Sequence, residues 1–227
     1  MELLPCVEIE PRSPEIIGSI IWMHGLGASG HDFEPIVPHL HLPQVRFVFP
    51  HAPRIPVTIN AGYVMPAWYD ILTWERVPER ENRSHIARSR AQITALIHRE
   101  VERGVPEDRI LLAGFSQGAA MALHTGLRHP TPLLGIAVLS GYLIVEDTLA
   151  SEVTAANATT PLFFGHGRND DVVPPDRGQA AYARVRTGRD ATWKDYPMAH
   201  QVIPAEIADL RAWLHARFLT SEAGNSQ

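Results

Sequence analysis

The sequence predicts an α/β fold in which a mostly parallel central sheet is covered by helices on both faces. Several short segments are apolar throughout and lack the polar alternation of a strand that is exposed on one side. These predicted strands are residues 19–23, 45–49, 109–113, 135–139 and 161–165. Residues 191–196 alternate more, and we expect that strand near an edge of the sheet.

Longer amphipathic segments separate the strands and predict helices. Residues 84–103 place their apolar side chains on one stripe, and Gly104 ends the pattern. Residues 119–128, 175–186 and 205–218 complete the predicted helices. Because strands and helices alternate along the chain, we expect an open sheet whose ligand site lies beyond the carboxyl ends of the strands.

Composition and charge narrow the class of protein. The 227 residues carry 20 Lys and Arg against 25 Asp and Glu, a net charge of −5, which disfavours a nucleic-acid-binding surface. The single cysteine, Cys6, excludes an internal disulfide. The longest apolar stretch, 133–145, is interrupted by glycines and polar residues and is shorter than the roughly 18 apolar residues of a membrane span.

These features predict one domain over residues 1–220 and a flexible C-terminal tail at 221–227. The first ten residues lack the basic and apolar regions of a secretion signal. We therefore expect a cytoplasmic protein without stable membrane insertion and without a nucleic-acid partner. A homodimer is compatible with the sequence.

The sequence GFSQG at 114–118 lies between a predicted strand and a predicted helix. It matches the G-x-S-x-G pattern of a nucleophile elbow, a tight turn that lifts the serine above the sheet. Gly114 and Gly118 leave room where the strand and the helix approach each other. Because the following helix also directs its positive end at the reacting oxygen, we predict Ser116 as a nucleophile.

A serine hydroxyl needs a base that takes its proton, and the base needs a carboxylate that fixes its tautomer. In proteins with such an elbow the acid and then the histidine follow the serine along the chain. His200 lies in a loop between the last predicted strand and the last predicted helix, from which it reaches over the sheet edge. The other later histidines fit this role less well: His124, His129, His166 and His215.

Candidates for the acid follow the predicted strand at 161–165. Asp170 and Asp171 compete there, since neighbouring side chains in a loop point in different directions. Asp195 is a weaker third candidate because it lies inside a predicted strand.

An oxyanion hole requires backbone N–H groups that do not move. The sequence HGLG at 24–27 follows the first core strand, and its glycines let the main chain pass close to a substrate. We expect the N–H groups of Leu26 and Gln117 to be the two donors. Neither an H-E-x-x-H motif nor a cysteine cluster is present in the sequence, so we expect no metal and no other cofactor.

Further motifs give the chain a family resemblance. They are HGLG at 24–27, PHAP at 50–53, PVTIN at 56–60, MPAWYD at 65–70, GFSQG at 114–118, HGxxDxxVP at 166–174 and YPMAH at 196–200. With these motifs the chain resembles the bacterial carboxylesterases of the α/β-hydrolase superfamily that are related to acyl-protein thioesterases and lysophospholipases. The resemblance extends over about residues 17–218, nearly the whole chain.

The resemblance implies the α/β-hydrolase fold and a role for each site residue. The implied roles are Ser116 as nucleophile, Asp170 as acid, His200 as base, and the backbone amides of Leu26 and Gln117 as the oxyanion hole. It favours Asp170 over Asp171, because the acid is the first of the two aspartates in the family pattern. It also implies that Trp68 lies near the substrate pocket.

The expected function is hydrolysis of a small-molecule carboxylic ester, with a short to medium acyl chain, through a Ser-Asp-His triad and an acyl-enzyme intermediate. The alternatives are a lysophospholipase or acyl-protein thioesterase, and more remotely a catalytically silent relative that binds a ligand. Ala119, Ala199 and Gln201 depart from the residues that relatives more often carry. Residues 72–83 and 142–160 match the resemblance poorly and leave open whether they form a lid.

Overall fold

The structure, a computed structural model, describes residues 3–219. Its strands are β1 (Cys6–Ile9), β2 (Gly18–Met23), β3 (Val45–Pro50), β4 (Arg54–Val57), β5 (Tyr63–Pro66), β6 (Ile110–Phe115), β7 (Gly135–Leu139), β8 (Leu162–Gly167) and β9 (Ala191–Tyr196). Seven of them form one sheet in the order β1-β3-β2-β6-β7-β8-β9. Within this sheet only β1 runs antiparallel to its neighbour, and β4 and β5 form a separate antiparallel hairpin.

Helices cover both faces of the sheet. They are α1 (Val37–Leu40), α2 (Arg83–Glu102), α3 (Gln117–Leu127), α4 (Leu149–Glu152), α5 (Pro175–Val185) and α6 (Pro204–Phe218). Helices α2, α3 and α5 pack into the core on one face, and α1 and α6 pack into the core on the other. Each fully buried Leu, Ile or Phe side chain on these faces contributes about 1.5–3 kcal/mol to folding.

The predicted fold class is confirmed: the sheet is mostly parallel and lies between two helical layers. The five continuous apolar segments are all strands of this sheet, and β9 is at its edge as its alternation indicates. Helix α3 begins at Gln117, two residues before the predicted start, because the turn at Ser116 is tight enough for the helix to follow at once.

Two elements of the structure lack a strong sequence pattern. Strand β1 forms the second edge of the sheet and pairs with β3 from Cys6 opposite Pro50 to Ile9 opposite Phe47. The β4–β5 hairpin lies outside the sheet and brings Pro66 to the loop after β2, where its carbonyl accepts the N–H of Gly27 at 2.8 Å.

The topology brings the predicted site residues together at the carboxyl ends of the parallel strands. Strands β2, β6, β8 and β9 run parallel, so their carboxyl ends lie along the same side. The HGLG loop follows β2, Ser116 follows β6, Asp170 follows β8 and His200 follows β9. The predicted site residues therefore lie where the fold rule for parallel sheets places a ligand site.

The two poorly matching segments lie next to each other. Residues 72–83 form a loop that Ile71 and Glu81 close through an antiparallel bridge, and Arg83 at their end begins α2. Ion pairs connect this loop to its surroundings: Arg76 to Asp176 at 2.6 Å and Arg83 to Asp147 at 2.9 Å. A cavity of about 370 Å³ lies between the loop, residues 142–147 and the start of α5. Both ion pairs are exposed, so each stabilises the contact by at most about 1 kcal/mol.

Two further predictions concern the C-terminal tail and insertion into a membrane. The predicted tail at 221–227 lies outside the described residues. Between residues 3 and 219, no helix combines the length and the apolar character that crossing a bilayer requires.

Candidate active site

The turn between β6 and α3 holds Ser116 in a strained backbone conformation. Its φ of 55° and ψ of −118° lie in a sparsely populated region, which costs about 1–3 kcal/mol for a residue other than glycine. The flanking glycines make the turn possible. A Cβ on Gly114 would lie 2.6 Å from the amide nitrogen of Ala119, and a Cβ on Gly118 would lie 2.5 Å from the carbonyl oxygen of His24. The close packing at these two glycines thus holds the strained serine at the end of β6.

The structure brings Ser116, His200 and Asp170 into one hydrogen-bonded chain. Nε2 of His200 lies 2.9 Å from Oγ of Ser116, and Nδ1 of His200 lies 2.7 Å from Oδ2 of Asp170. With the neutral imidazole protonated on Nδ1, that N–H donates to Asp170 and Nε2 accepts the serine hydroxyl. This arrangement leaves the serine proton facing a free basic nitrogen.

Asp170 is distinguished from the other two acid candidates by its surroundings. Its Oδ1 accepts the backbone N–H groups of Val172 at 3.0 Å and Val173 at 2.8 Å, while Oδ2 faces His200. Burial opposes ionisation of this carboxyl, but the hydrogen bonds from His200 and Val173 outweigh it and lower the pKa of Asp170. Asp171 is exposed, and Asp195 pairs with Arg168 at 3.6 Å.

The loop that carries His200 packs closely against the end of β8. A Cβ on Gly167 would lie 2.5 Å from the carbonyl oxygen of Met198, so only glycine fits beneath this loop. That same carbonyl accepts the N–H of Asn169 at 3.0 Å. The ring of Phe115 lies 4.7 Å from the imidazole of His200. The packing of the loop on Gly167 and the contact with Phe115 together fix the orientation of the imidazole.

His24 holds the loop that the sequence predicts as part of the oxyanion hole. Its Nδ1 donates to the carbonyl oxygen of Gly25 at 2.7 Å, and its Nε2 accepts the N–H of Ala52 at 3.1 Å. Burial lowers the pKa of His24, which keeps the ring neutral and able to make both bonds. A Cβ on Gly25 would lie 3.6 Å from Cβ of Ser116, so the loop passes directly beside the elbow.

Two backbone N–H groups are suited to receive a negative oxygen beside Ser116. Gln117 is the first residue of α3, where the N–H groups have no partner within the helix. In the described part of the chain, no hydrogen bond engages the N–H of Leu26, whereas the following N–H, that of Gly27, donates to Pro66. The positive end of α3 adds to the attraction for an anion.

The side chain of Gln117 has a part in the site that the sequence motif does not reveal. Its Oε1 accepts the N–H of Trp68 at 2.8 Å, and its Nε2 donates to the carbonyl oxygen of Tyr69 at 2.8 Å. Both bonds are buried and join the elbow to a segment almost fifty residues away. The first turn of α3 is thereby held in place.

Trp68, which the resemblance places near the substrate pocket, has no exposed surface at all in the structure, at 0%. Its indole N–H donates to the carbonyl oxygen of His24 at 2.8 Å, and its ring lies 5.4 Å from that of His24. Because Trp68 is enclosed and both contacts are with His24, it supports the HGLG loop from within the core. It does not form an open pocket wall.

The other later histidines do not contact Ser116, although His166 lies close to Asp170. Nε2–H of His166 donates to the carbonyl oxygen of Val173 at 2.8 Å, and the same nitrogen lies 3.6 Å from Oδ2 of Asp170. Burial lowers the pKa of His166, and it lowers the pKa of His124 to about 3. His215 bonds to the carbonyl oxygen of Leu40.

Between residues 3 and 219, no three His, Cys, Asp or Glu side chains form a group that could hold a metal ion.

The fold and the site together define the class of protein. A mostly parallel sheet between helices, with a strained serine on an elbow after a central strand, is the α/β-hydrolase fold. A family model described as phospholipase/carboxylesterase matches residues 4–217. The chain belongs to this family and is a serine hydrolase of the carboxylesterase and acyl-protein thioesterase type.

Individual relatives agree with this assignment. Acyl-protein thioesterase 1 of the fungus Gibberella zeae is 36% identical over 216 residues, which cover 90% of this chain and 92% of the relative. A crystal structure of SOBER1 from Arabidopsis thaliana has a TM-score of 0.81 at 31% identity and covers 88% of this chain and 98% of its own. The crystal structure of maize acyl-protein thioesterase 2 has a TM-score of 0.83 at 26% identity, covering 94% and 99%.

Proposed function

We propose that this chain hydrolyses carboxylic esters by two-step acyl transfer at Ser116. The supporting observation is the unbroken hydrogen-bonded chain from Asp170 through His200 to Ser116, with distances of 2.7 and 2.9 Å. Nε2 of His200 takes the serine proton as Oγ attacks the ester carbonyl carbon. Asp170 holds the Nδ1–H and stabilises the imidazolium that forms.

The tetrahedral intermediate needs donors for its negative oxygen, and we assign this role to the N–H groups of Leu26 and Gln117. Loss of one such donor typically costs about 3 kcal/mol of transition-state stabilisation. His200 then gives its proton to the leaving alcohol or thiol, which departs and leaves an acyl group on Ser116. Water repeats the sequence, and the free carboxylic acid is released.

For the substrate we propose a small ester with a short to medium acyl chain, as in the bacterial carboxylesterases whose motifs this chain resembles, and a cytoplasmic location. The fungal relatives support a second candidate, because they are named acyl-protein thioesterases. A thioester of a long acyl chain, or a lysophospholipid, requires no change in the mechanism. The difference lies in the room for the acyl chain.

The test is hydrolysis of p-nitrophenyl esters from acetate to palmitate by the wild-type protein and by Ser116→Ala. We expect activity that is greatest on the shorter chains and absent in the variant. A maximum at the long chains would favour the thioester or lysophospholipid candidate. Equal rates for the two proteins at every chain length would refute catalysis at Ser116.

Covalent labelling separates catalysis from silent ligand binding. A fluorophosphonate reacts with a serine only when a base activates the hydroxyl. We expect wild-type protein and Ser151→Ala, which removes an exposed serine on α4, to be labelled, and Ser116→Ala to remain unlabelled. Unlabelled wild-type protein would support the silent relative.

A further inference from the structure

A groove of about 530 Å³ opens beside the imidazole of His200. Its walls are formed by residues 32–39, by Phe115 at the end of β6, and by residues 201–211 at the beginning of α6. Most of the lining side chains are apolar, and they include Phe33, Ile36, Phe115, Val202 and Ile207. A groove of this volume with apolar walls is suited to a small organic group.

The proposed reaction determines which half of an ester lies beside His200. Its Nε2 takes the proton of Ser116 and returns a proton to the leaving oxygen or sulfur, so the leaving atom must come within hydrogen-bond distance of this nitrogen. The carbonyl oxygen is turned toward the N–H groups of Leu26 and Gln117. The remainder of the leaving group therefore extends past His200, which is one of the residues that line the groove.

Aromatic rings continue from His200 along the groove. The Phe115 ring lies 4.7 Å from the His200 ring, and the Phe33 ring lies 5.8 Å from the Phe115 ring. These distances are those at which aromatic rings attract one another. An aromatic group in the groove would extend the same series of contacts.

The side chains that line the groove include one of each charge, Asp32 and Arg211. Asp32 is exposed at one side and Arg211 is half-buried at the other. Because the groove carries one charge of each sign among mostly apolar side chains, neither sign of charge on the leaving group is favoured.

The geometry points to this groove as the subsite for the leaving alcohol or thiol, and to an uncharged, bulky aromatic group as its occupant. This inference rests on the proposed ester hydrolysis at Ser116.

The test compares two esters that share one acyl group, ethyl butyrate and 2-naphthylmethyl butyrate. Ala208 is exposed on α6 and lines the groove, so Ala208→Trp narrows it without disturbing the core. We expect this variant to lower kcat/KM for the naphthylmethyl ester by about tenfold or more, and to change kcat/KM for the ethyl ester by less than about twofold. Acid release at constant pH measures both rates.

A matched control places the same side chain outside the groove. Ala205 is exposed on the same helix, and Ala205→Trp should leave the ratio of the two kcat/KM values at its wild-type level. Ile36→Phe enters the groove from the opposite wall and should repeat the selective loss independently of α6.

Equal losses on both esters in Ala208→Trp and Ile36→Phe, or no loss on either ester, would overturn the inference. The failure of the proposed function has a different result. In that case the wild-type protein hydrolyses neither ester, or Ser116→Ala hydrolyses them equally well. Ester hydrolysis that depends on Ser116 but not on the width of the groove would refute the subsite alone.

Discussion

Glu206 is a buried carboxyl whose proton should link the stability of this protein to pH. It lies in the first turn of α6, six residues after His200, and is 0% exposed. Among residues 3–219, neither of its carboxyl oxygens has a hydrogen-bond partner. Burial raises the pKa of Glu206 from an ordinary value of 4.5 to about 8. The folded protein therefore keeps a proton that the unfolded chain releases at much lower pH.

The size of the effect follows from this difference in pKa. One pKa unit corresponds to about 1.4 kcal/mol. The pKa difference of Glu206 between the folded and unfolded chain can therefore change the free energy of unfolding by about 5 kcal/mol in total. The stability that the protonated Glu206 contributes is fully present below pH 4.5, where the carboxyl is protonated in both the folded and the unfolded chain. It is lost as the pH rises through about 8. Between pH 5 and pH 9, Glu206 should lower the free energy of unfolding by about 4 kcal/mol.

The assay is urea unfolding of the wild-type protein and of Glu206→Gln at a series of pH values from 5 to 9. The glutamine cannot titrate, so the difference between the two profiles isolates this carboxyl from groups such as His124. We expect the wild-type protein to lose about 4 kcal/mol relative to the variant across this range. Glu102→Gln, the same change at an exposed position on α2, should follow the wild-type profile.

Parallel pH profiles for wild-type protein and Glu206→Gln would refute this reasoning. They would mean that the carboxyl ionises equally in the folded and the unfolded chain. A constant offset between two parallel profiles would show only a change in packing near Gly165, against which Glu206 lies.

Three further predictions concern the elbow and its partners. Asp170→Asn should lower kcat on a p-nitrophenyl ester by about 10⁴-fold because it favours the wrong tautomer of the histidine, whereas Asp171→Asn should retain wild-type kcat. Gly118→Ala should lower the thermal midpoint, since its Cβ would lie 2.5 Å from a backbone carbonyl oxygen; an unchanged midpoint would contradict this packing. Gln117→Ala should lower the free energy of unfolding in urea by about 2 kcal/mol, because two backbone groups lose buried hydrogen bonds. A loss below the error of the measurement would show that water replaces them.

Local patterns in the sequence are enough to predict much of this fold. Strands that are buried on both faces are apolar at every position, so the central strands are visible as continuous apolar segments. The elbow is equally local, because the room for Ser116 comes from glycines two residues away on either side. Strand β1 is less visible, since it is short, lies at an edge and contains the charged Glu8.

The choice between neighbouring acids needed the tertiary structure or a family resemblance. Asp170 and Asp171 have the same chemistry and adjacent positions in one loop. In the structure the backbone N–H groups of Val172 and Val173 bind one oxygen of Asp170 and turn the other toward His200. Asp171 remains exposed.

The sequence by itself determined the central strands and the four longer helices, the elbow and a small set of candidate site residues, because each depends on residues close together in the chain. Only the tertiary structure decided that Gln117 binds the backbone at Trp68 and Tyr69 and that Trp68 is enclosed. It also decided that Glu206 is buried without a hydrogen-bond partner among residues 3–219. These features depend on segments far apart in the chain, and the packing of the sheet and helices alone brings such segments into contact.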